Sequence, residues 1–353
     1  MKVLFDHQIF HYQYGGASKY FAMLLKHLPR EAWATTARLS SNEYVRAAGL
    51  FPTCRRMFRG QTVMAEWLNR PLTHLALHRG HYDVFHQTNF SVSDLRAAGA
   101  KPMVTTFHDT NLSTFDPHPF IVERQRISLE RADAIVCVSR NTAQDMLSLF
   151  SVEEKKVHVI YHGIEQPDLS ALPSERLCAH PYILYVGRRS EYKNFTRFLE
   201  AFAAVHSQHP SLHVVCTGAP FSRSELTAFE KRGLLQVMHC LYASEADMLR
   251  LYRDAELFVF PSLYEGFGMP ILEAWSCHCP VVLSQASCFP EIAADAAEYF
   301  EARNAEAMAH TICRVLESPS LRQDLIVRGD HRVAAFSWQR CAEEHMKVYE
   351  SLI

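Results

Sequence analysis

Ten short runs of β-branched and aromatic residues, separated by segments of helical spacing, constrain this 353-residue chain more than any other feature. They are KVLF (2–5), YDVFH (82–86), MVTTFH (103–108), AIVCVS (134–139) and VHVIYH (157–162), then YILYVG (182–187), LHVVCTG (212–218), VMHCL (237–241), LFVFPS (257–262) and PVVLS (280–284). Each is apolar at consecutive positions, which suits strands covered on both faces in a parallel sheet. Segments such as NFTRFLEAFAAVHSQH (194–209) between them repeat apolar residues at helical spacing. Alternating strand and helix predicts a doubly wound α/β sheet, and the length suits two of them.

The boundary is expected where GIEQPDLSALPSERLCAHP (163–181) brings three prolines and polar spacers. The expected organisation is a Rossmann-like domain over 1–165, a linker over 166–180, a second Rossmann-like domain over 181–335, and a helix over 336–353 that returns to the first. Ligands of open α/β sheets bind at the carboxyl ends of the strands, so a cleft between the two domains is expected to hold the site.

Composition narrows the function classes. The formal net charge is −2, but residues 1–160 carry 19 basic and 14 acidic side chains while the remainder carries 17 and 24. Either this is ordinary variation or the first half meets something anionic. No secretory signal and no apolar run of membrane-spanning length is visible, so a cytoplasmic protein is expected. The ten cysteines sit mostly inside apolar segments, as free thiols in a reducing compartment do. Cys277, His278, Cys279 and Cys288 have the wrong spacing for a zinc knuckle. No G-x-G-x-x-G follows a strand, which sets aside a nicotinamide dehydrogenase, and nothing points to nucleic acid.

The stretch FPSLYEGFGMPILEA (260–274) concentrates chemistry. A strand ends, Gly266 and Gly268 allow a sharp turn and close backbone approach, and Pro270 opens a helix. Backbone N–H groups at a helix start favour an anion. Glu265 and Glu273 are acceptors only and suit a ligand's hydroxyl groups. A nucleotide sugar offers both, a diphosphate flanked by ribose and hexose. The alternative is that Glu273 only complements the helix dipole and Glu265 is solvated. YVGRRSEYKN (185–194) supplies cations: after Gly187 at the strand end come Arg188, Arg189 and Lys193, able to meet phosphate oxygens or merely to face solvent. No Asp-x-Asp pair occurs, so these cations and the helix terminus are expected to neutralise the leaving group with no metal and no cofactor.

With these motifs the sequence resembles the retaining glycosyltransferases of family 4, of GT-B architecture, and within them a bacterial mannosyltransferase-like branch. The E-x7-E signature stands as Glu265 and Glu273, the basic pair as Arg188 and Lys193, a His-Asp element as TTFHDT (105–110), and the glycine loop as FDHQIFHYQYGGASKYFAML (5–24). YHGIE (161–165) and the terminal FSWQRCAEEHMKVY match further elements in order. The resemblance implies that Glu273 accepts from ribose hydroxyls, that Glu265 sits near the donor hexose, and that Phe267, Gly268 and Met269 lie along sugar and phosphate. It implies that Arg188 and Lys193 bind the diphosphate, with Arg189 sharing that work. Gly15 and Gly16 would let backbone approach the donor phosphate, with His108 by the anomeric carbon and Asp109 behind it. Without the resemblance, Gly15-Gly16 is a tight turn, His108 a packed histidine and Asp109 a helix cap.

The chain departs from the family at Cys277-His278-Cys279-Pro280, where glycine usually ends the motif helix. A strained but intact cap is expected, with His278 left-handed. Lys19 stands where an arginine is usual. The implied activity is transfer of a hexose, mannose by the branch, from a GDP- or UDP-linked donor to a saccharide or lipid-linked acceptor in cell-surface polysaccharide synthesis. A GT-B epimerase and a non-catalytic nucleotide-sugar-binding protein are the alternatives. The acceptor is expected at the first domain, where residues 51–82 are basic and carry Trp67, Met57, Met64 and several leucines. That segment reads either as a peripheral contact with an anionic membrane or as a helical hairpin, broken at Pro71, over the sheet edge.

Overall fold

The computed structural model describes residues 1–54, 58, 60–111, 115 and 118–353; Arg55, Arg56, Met57 and Arg59 of the basic segment lie outside them. The chain forms two compact units, Met1–Gly163 with Ser337–Ile353, and Ile164–Phe336.

The first unit is a six-stranded parallel sheet ordered β2-β1-β3-β4-β5-β6. Its strands are β1 Val3–Phe5, β2 Trp33–Thr35, β3 Val84–Gln87, β4 Met103–Phe107, β5 Ala134–Cys137 and β6 Val157–Val159. β1, β3, β4 and β5 are buried along their whole length, as their continuous apolar runs predict. Leu4, Phe85, Leu95 and Met103 pack one side of the sheet; Phe107, Leu129, Ile135 and Met146 pack the other end. The C-terminal helix Trp338–Glu350 joins this unit through its buried stripe of Trp338, Cys341, His345 and Tyr349. The Tyr349 hydroxyl is 2.7 Å from His86 Nδ1 and the Tyr20 hydroxyl 2.7 Å from His345 Nε2. Gly163 lets the chain pass, since a Cβ there would lie 2.0 Å from the Trp338 amide nitrogen.

The second unit is also a six-stranded parallel sheet, ordered β12-β11-β10-β7-β8-β9. Its strands are β7 Tyr182–Tyr185, β8 His213–Thr217, β9 Met238–Leu241, β10 Leu257–Phe260, β11 Val281–Ser284 and β12 Glu298–Phe300. Helix Phe195–Gln208 buries Phe195, Phe198, Leu199, Phe202 and Val205, spaced to put one apolar face on this sheet. Residues 166–180, read from sequence as a linker, lie against this unit. Arg176 donates to the Asp254 carbonyl (2.6 Å), while Arg250 and Arg253 donate to the carbonyls of Glu175 and Pro173.

Two strands escaped the sequence reading. β2 and β12 are three-residue edge strands, too short to give a periodic signal. The 61–82 region also differs from a hairpin broken at Pro71. It is one helix, Gln61–Arg79, that runs through the proline and ends in left-handed Gly80.

Candidate active site

In the second sheet the chain order reverses between β7 and β10, which are hydrogen-bonded neighbours. A crevice outside the carboxyl ends of the strands is expected at such a switch point. The loops that leave these two strands are the basic loop and the glutamate loop.

The basic loop is held from both sides. Gly187 has φ 124°, and Lys193 folds back so that its Nζ lies 3.8 Å from where a Cβ of Gly187 would stand. The buried Tyr185 hydroxyl donates to the Lys193 carbonyl (3.1 Å). Asn194, left-handed at φ 60°, donates through Nδ2 to the carbonyls of Pro261 (3.1 Å) and Ala302 (2.7 Å). The Leu263 amide donates to the Tyr192 carbonyl (2.7 Å), tying the two loops together.

Across this seam Lys193 Nζ meets Glu265 Oε1 at 2.5 Å, with the side chains only 14% and 13% exposed. The ammonium also lies 5.2 Å from the Phe260 ring centre. Arg188 is exposed, and among the described residues its guanidinium makes no hydrogen bond or ion pair. Arg189, expected to share the diphosphate, makes its contacts away from the glutamate loop. Its Nε donates to Glu225 Oε1 (2.5 Å), its Nη2 to the carbonyls of Ala219 (2.7 Å) and Pro220 (3.1 Å), and it stacks over Phe221. These contacts occupy its donors, so it is a brace of its own unit.

The glutamate loop is similarly fixed. Ser287, left-handed at φ 52°, donates from Oγ to the Glu265 carbonyl (2.7 Å) and accepts from the Glu265 amide (3.3 Å). Gly266, Phe267 and Gly268 are buried. Gly268, at φ 89°, caps helix Met269–Ser276, with Pro270 in its first turn. A Cβ at Gly268 would stand 3.0 Å from Ile271 Cδ1 and 3.2 Å from Phe289 Cε1, so conformation and space both require glycine. The buried Phe267 ring packs edge-on to Phe336, and the Met269 side chain is buried too, which leaves backbone as what this turn can present. Glu273, one turn into the helix, accepts from the Tyr252 hydroxyl (3.2 Å).

The helix ends as the departure from glycine predicts. His278 takes φ 56°, its amide donates to the Trp275 carbonyl, and the Cys279 amide donates to the Ala274 carbonyl. That is the 5→2 and 6→1 pattern of a left-handed C-cap, built on histidine. His278 Nδ1 lies 2.7 Å from Asp330 Oδ1.

The remaining sequence-derived residues belong to the first unit. Gly15 and Gly16 are exposed at the start of helix Gly16–His27. His108 follows β4, enclosed by the rings of Tyr20, Phe21 and His162, with its Nε2 buried and without a hydrogen-bond partner among the described residues. Burial pushes its pKa down to about 4, which keeps the imidazole neutral. Asp109 accepts from the Asn111 amide (3.0 Å), a turn-forming bond. Tyr20, His86, His162 and His345 complete this nest of rings, none legible as a cluster in the sequence.

Sequence reasoning also missed a cavity of about 620 Å³ at the first sheet's own reversal point, beyond β1 and β3. Gln8, His11, Asn89, Arg70, Arg124 and Phe120 are among the residues lining it. Beneath it lies a buried polar network. Asp6 accepts from the Thr88 amide (2.9 Å) and hydroxyl (2.5 Å), and Gln8 donates to Asp94 (2.8 Å). Burial and the charge of Asp94 raise the Asp6 pKa to about 6.

Comparison with known proteins follows the same division. The family described as "Glycosyltransferase Family 4" matches residues 14–166 and that described as "Glycosyl transferases group 1" matches residues 178–332. O-antigen chain mannosyltransferase B of Escherichia coli is 28% identical over 267 residues, 70% of each chain. MMP alpha-(1->4)-mannosyltransferase of Mycolicibacterium hassiacum is 26% identical over 302 residues, 79% of this chain and 73% of its own. Among solved structures, Anabaena HepE in complex with UDP superposes with a TM-score of 0.78 at 17% identity over the whole of both chains. Sucrose-phosphate synthase of Thermosynechococcus elongatus gives 0.77 at 19% identity, covering 100% of this chain and 99% of its own.

Proposed function

The chain belongs to the GT-B glycosyltransferases, and from that premise we propose that it transfers mannose from a nucleotide diphosphate donor to a saccharide acceptor, with retention of anomeric configuration. One observation carries the reading: Lys193 and Glu265 meet at the switch point of the second sheet, eight residues ahead of Glu273 on the adjoining helix.

In this reading Lys193 and the exposed Arg188 hold the diphosphate, and the buried turn over 266–268 offers backbone N–H groups to it. A diphosphate beside Lys193 takes over from Glu265 as the counter-charge, which frees that carboxylate to accept from hexose hydroxyls. Glu273, already accepting from Tyr252, holds the ribose. Positive charge fixed where the leaving group develops negative charge is electrostatic catalysis, worth about 10²- to 10³-fold per donor removed. The leaving phosphate oxygen takes the acceptor proton while the acceptor oxygen attacks from the face the phosphate leaves. His108, held neutral, acts through hydrogen bonding to a sugar hydroxyl and carries no charge.

The mannosyl assignment rests on the two curated relatives, both described as mannosyltransferases; it favours a GDP-linked donor over a UDP-linked one. The acceptor-side cavity of the first unit, with Gln8, Asn89, two arginines and the carboxylates of Glu66 and Glu123 in its wall, suits the hydroxyl groups of a saccharide acceptor.

The test is donor turnover with GDP-mannose, UDP-glucose and UDP-N-acetylglucosamine, with and without a mannoside acceptor. Acceptor-dependent transfer from GDP-mannose with an α-linked product is expected. Consumption without acceptor would identify an epimerase, and binding without turnover a non-catalytic binding protein.

A further inference from the structure

Helix Gln61–Arg79 is built inside out. The positions it buries are Gln61, Ala65, Asn69, Thr73 and Leu77, spaced four apart and mostly polar. The positions it exposes include Val63 (75%), Met64, Trp67 (76%), Leu68, Leu72 and Leu75. A helix on a soluble domain shows the reverse pattern. Three of these side chains bond inward, and Gln61 Oε1 accepts from the Phe58 amide (3.2 Å). Asn69 Oδ1 accepts from the amides of Arg38 (2.9 Å) and Leu39 (3.1 Å), its Nδ2 donates to the Leu39 carbonyl (2.8 Å), and Thr73 Oγ1 bonds to His7 and Thr36. These bonds fix which face turns inward. The apolar face is therefore held outward and cannot roll in.

The charge around this face identifies its partner. On the helix the charged side chains are Arg70 and Arg79 with a single acid, Glu66, while Arg55, Arg56 and Arg59 of the preceding sequence lie outside the described residues. Glu66 turns its Oε2 towards His7 Nε2 (3.2 Å) and His11 Nδ1 (3.3 Å), so the one negative group is paired on the cavity side. A second copy of the chain would bring the same arginines against each other. Among the described residues no helix is long and apolar enough to cross a membrane. Apolar side chains flanked by arginines on a helix that does not span suit the interfacial layer of an anionic bilayer. The exposed Phe120 and the helix's own Arg70 both line the acceptor-side cavity, which opens the cavity wall towards the same surface.

We infer that the Gln61–Arg79 helix lies in the headgroup layer of an anionic membrane, with Val63, Trp67, Leu68, Leu72 and Leu75 immersed and the helix's own arginines, Arg70 and Arg79, on lipid phosphates. This does not depend on the sugar transferred, and its test uses no turnover.

Trp33, Trp275 and Trp338 are buried and Trp67 is exposed, so Trp67 alone reports directly on the surface. The experiment is co-sedimentation of the full chain with vesicles of phosphatidylglycerol and phosphatidylcholine, and of phosphatidylcholine alone, with Trp67 emission read against brominated lipid. Expected are binding to the anionic vesicles, a blue shift and quenching that Trp67→Phe abolishes. Trp67→Ser with Leu68→Ser and Leu72→Ser should weaken binding at least tenfold with thermal stability kept, and Arg79→Gln should weaken it about fivefold. No binding to anionic vesicles, or binding that the triple variant retains, overturns the inference. So does a dimer in light scattering that the triple variant dissolves without any vesicle binding.

Discussion

Lowering the pH from 7 to 5 is expected to destabilise the first unit, and the size of the loss follows from its buried imidazoles. His108 and His345 are both pushed down by burial to about 4, against 6.5 for an ordinary histidine. A base whose folded pKa is depressed stays neutral in the fold and protonates first in the unfolded chain. Its contribution is complete above about 6.5 and drains away as pH falls towards 4. At pH 5 that is about 2 kcal/mol for each of the two groups. Asp6 acts in the opposite sense. Its folded pKa is raised to about 6 from 3.8, so the fold is penalised above pH 6 and recovers about 1 kcal/mol on the way down to 5. These three groups together give a loss of about 3 kcal/mol, a large share of the stability of an ordinary domain, and the buried His86 and His162, pushed well below the ordinary value, add to it in the same direction. His11, also lowered to about 4, adds to it in the same direction. Urea unfolding at pH 7, 6 and 5, followed by tryptophan emission, measures it. His345→Gln should be less stable at pH 7 yet lose about 2 kcal/mol less between pH 7 and 5. Stability that is flat or rises over this range would refute the reasoning, and with it the neutral state assigned to His108.

Three other substitutions probe the second unit. Lys193→Met is expected to lower kcat at least 100-fold, read in a radiolabelled-donor transfer assay, while the far-ultraviolet spectrum is unchanged. Arg189→Ala, which breaks the bonds to Glu225 and the 219–220 carbonyls, should cost about 2 kcal/mol in chemical denaturation and leave donor affinity within twofold. His278→Gly should raise stability by about 0.5–1 kcal/mol, because relief of the left-handed backbone outweighs the exposed contact with Asp330; differential scanning calorimetry reads the shift in Tm.

The sequence made the central strands legible because burial on both faces leaves continuous apolar runs, as in AIVCVS and LFVFPS. It could not mark β2 or β12, where three edge residues gain their conformation from a neighbouring strand. The two site loops were legible because their chemistry is local: Gly187 to Lys193 and Glu265 to Glu273 each fit within one connection and the start of the next helix. The His278 cap was legible for the same reason. Arg189 was not, since what turns it aside is Glu225, thirty-six residues later. The cavity beyond β1 and β3 draws residues from distant segments, and no spacing in the sequence announces it. Helix 61–79 showed an apolar pattern from the outset, but which side faces water was settled by Asn69 and Thr73 bonding to loop segments that only the fold brings near.

Isothermal titration of GDP-mannose and UDP-glucose into the wild type, Lys193→Met and Glu273→Gln tests most directly whether the two loops at the β7–β10 reversal hold a nucleotide sugar. The account predicts that the wild type binds one donor saturably and that each substitution weakens it at least tenfold. Binding of equal strength in all three proteins, or of neither donor by the wild type, would contradict it.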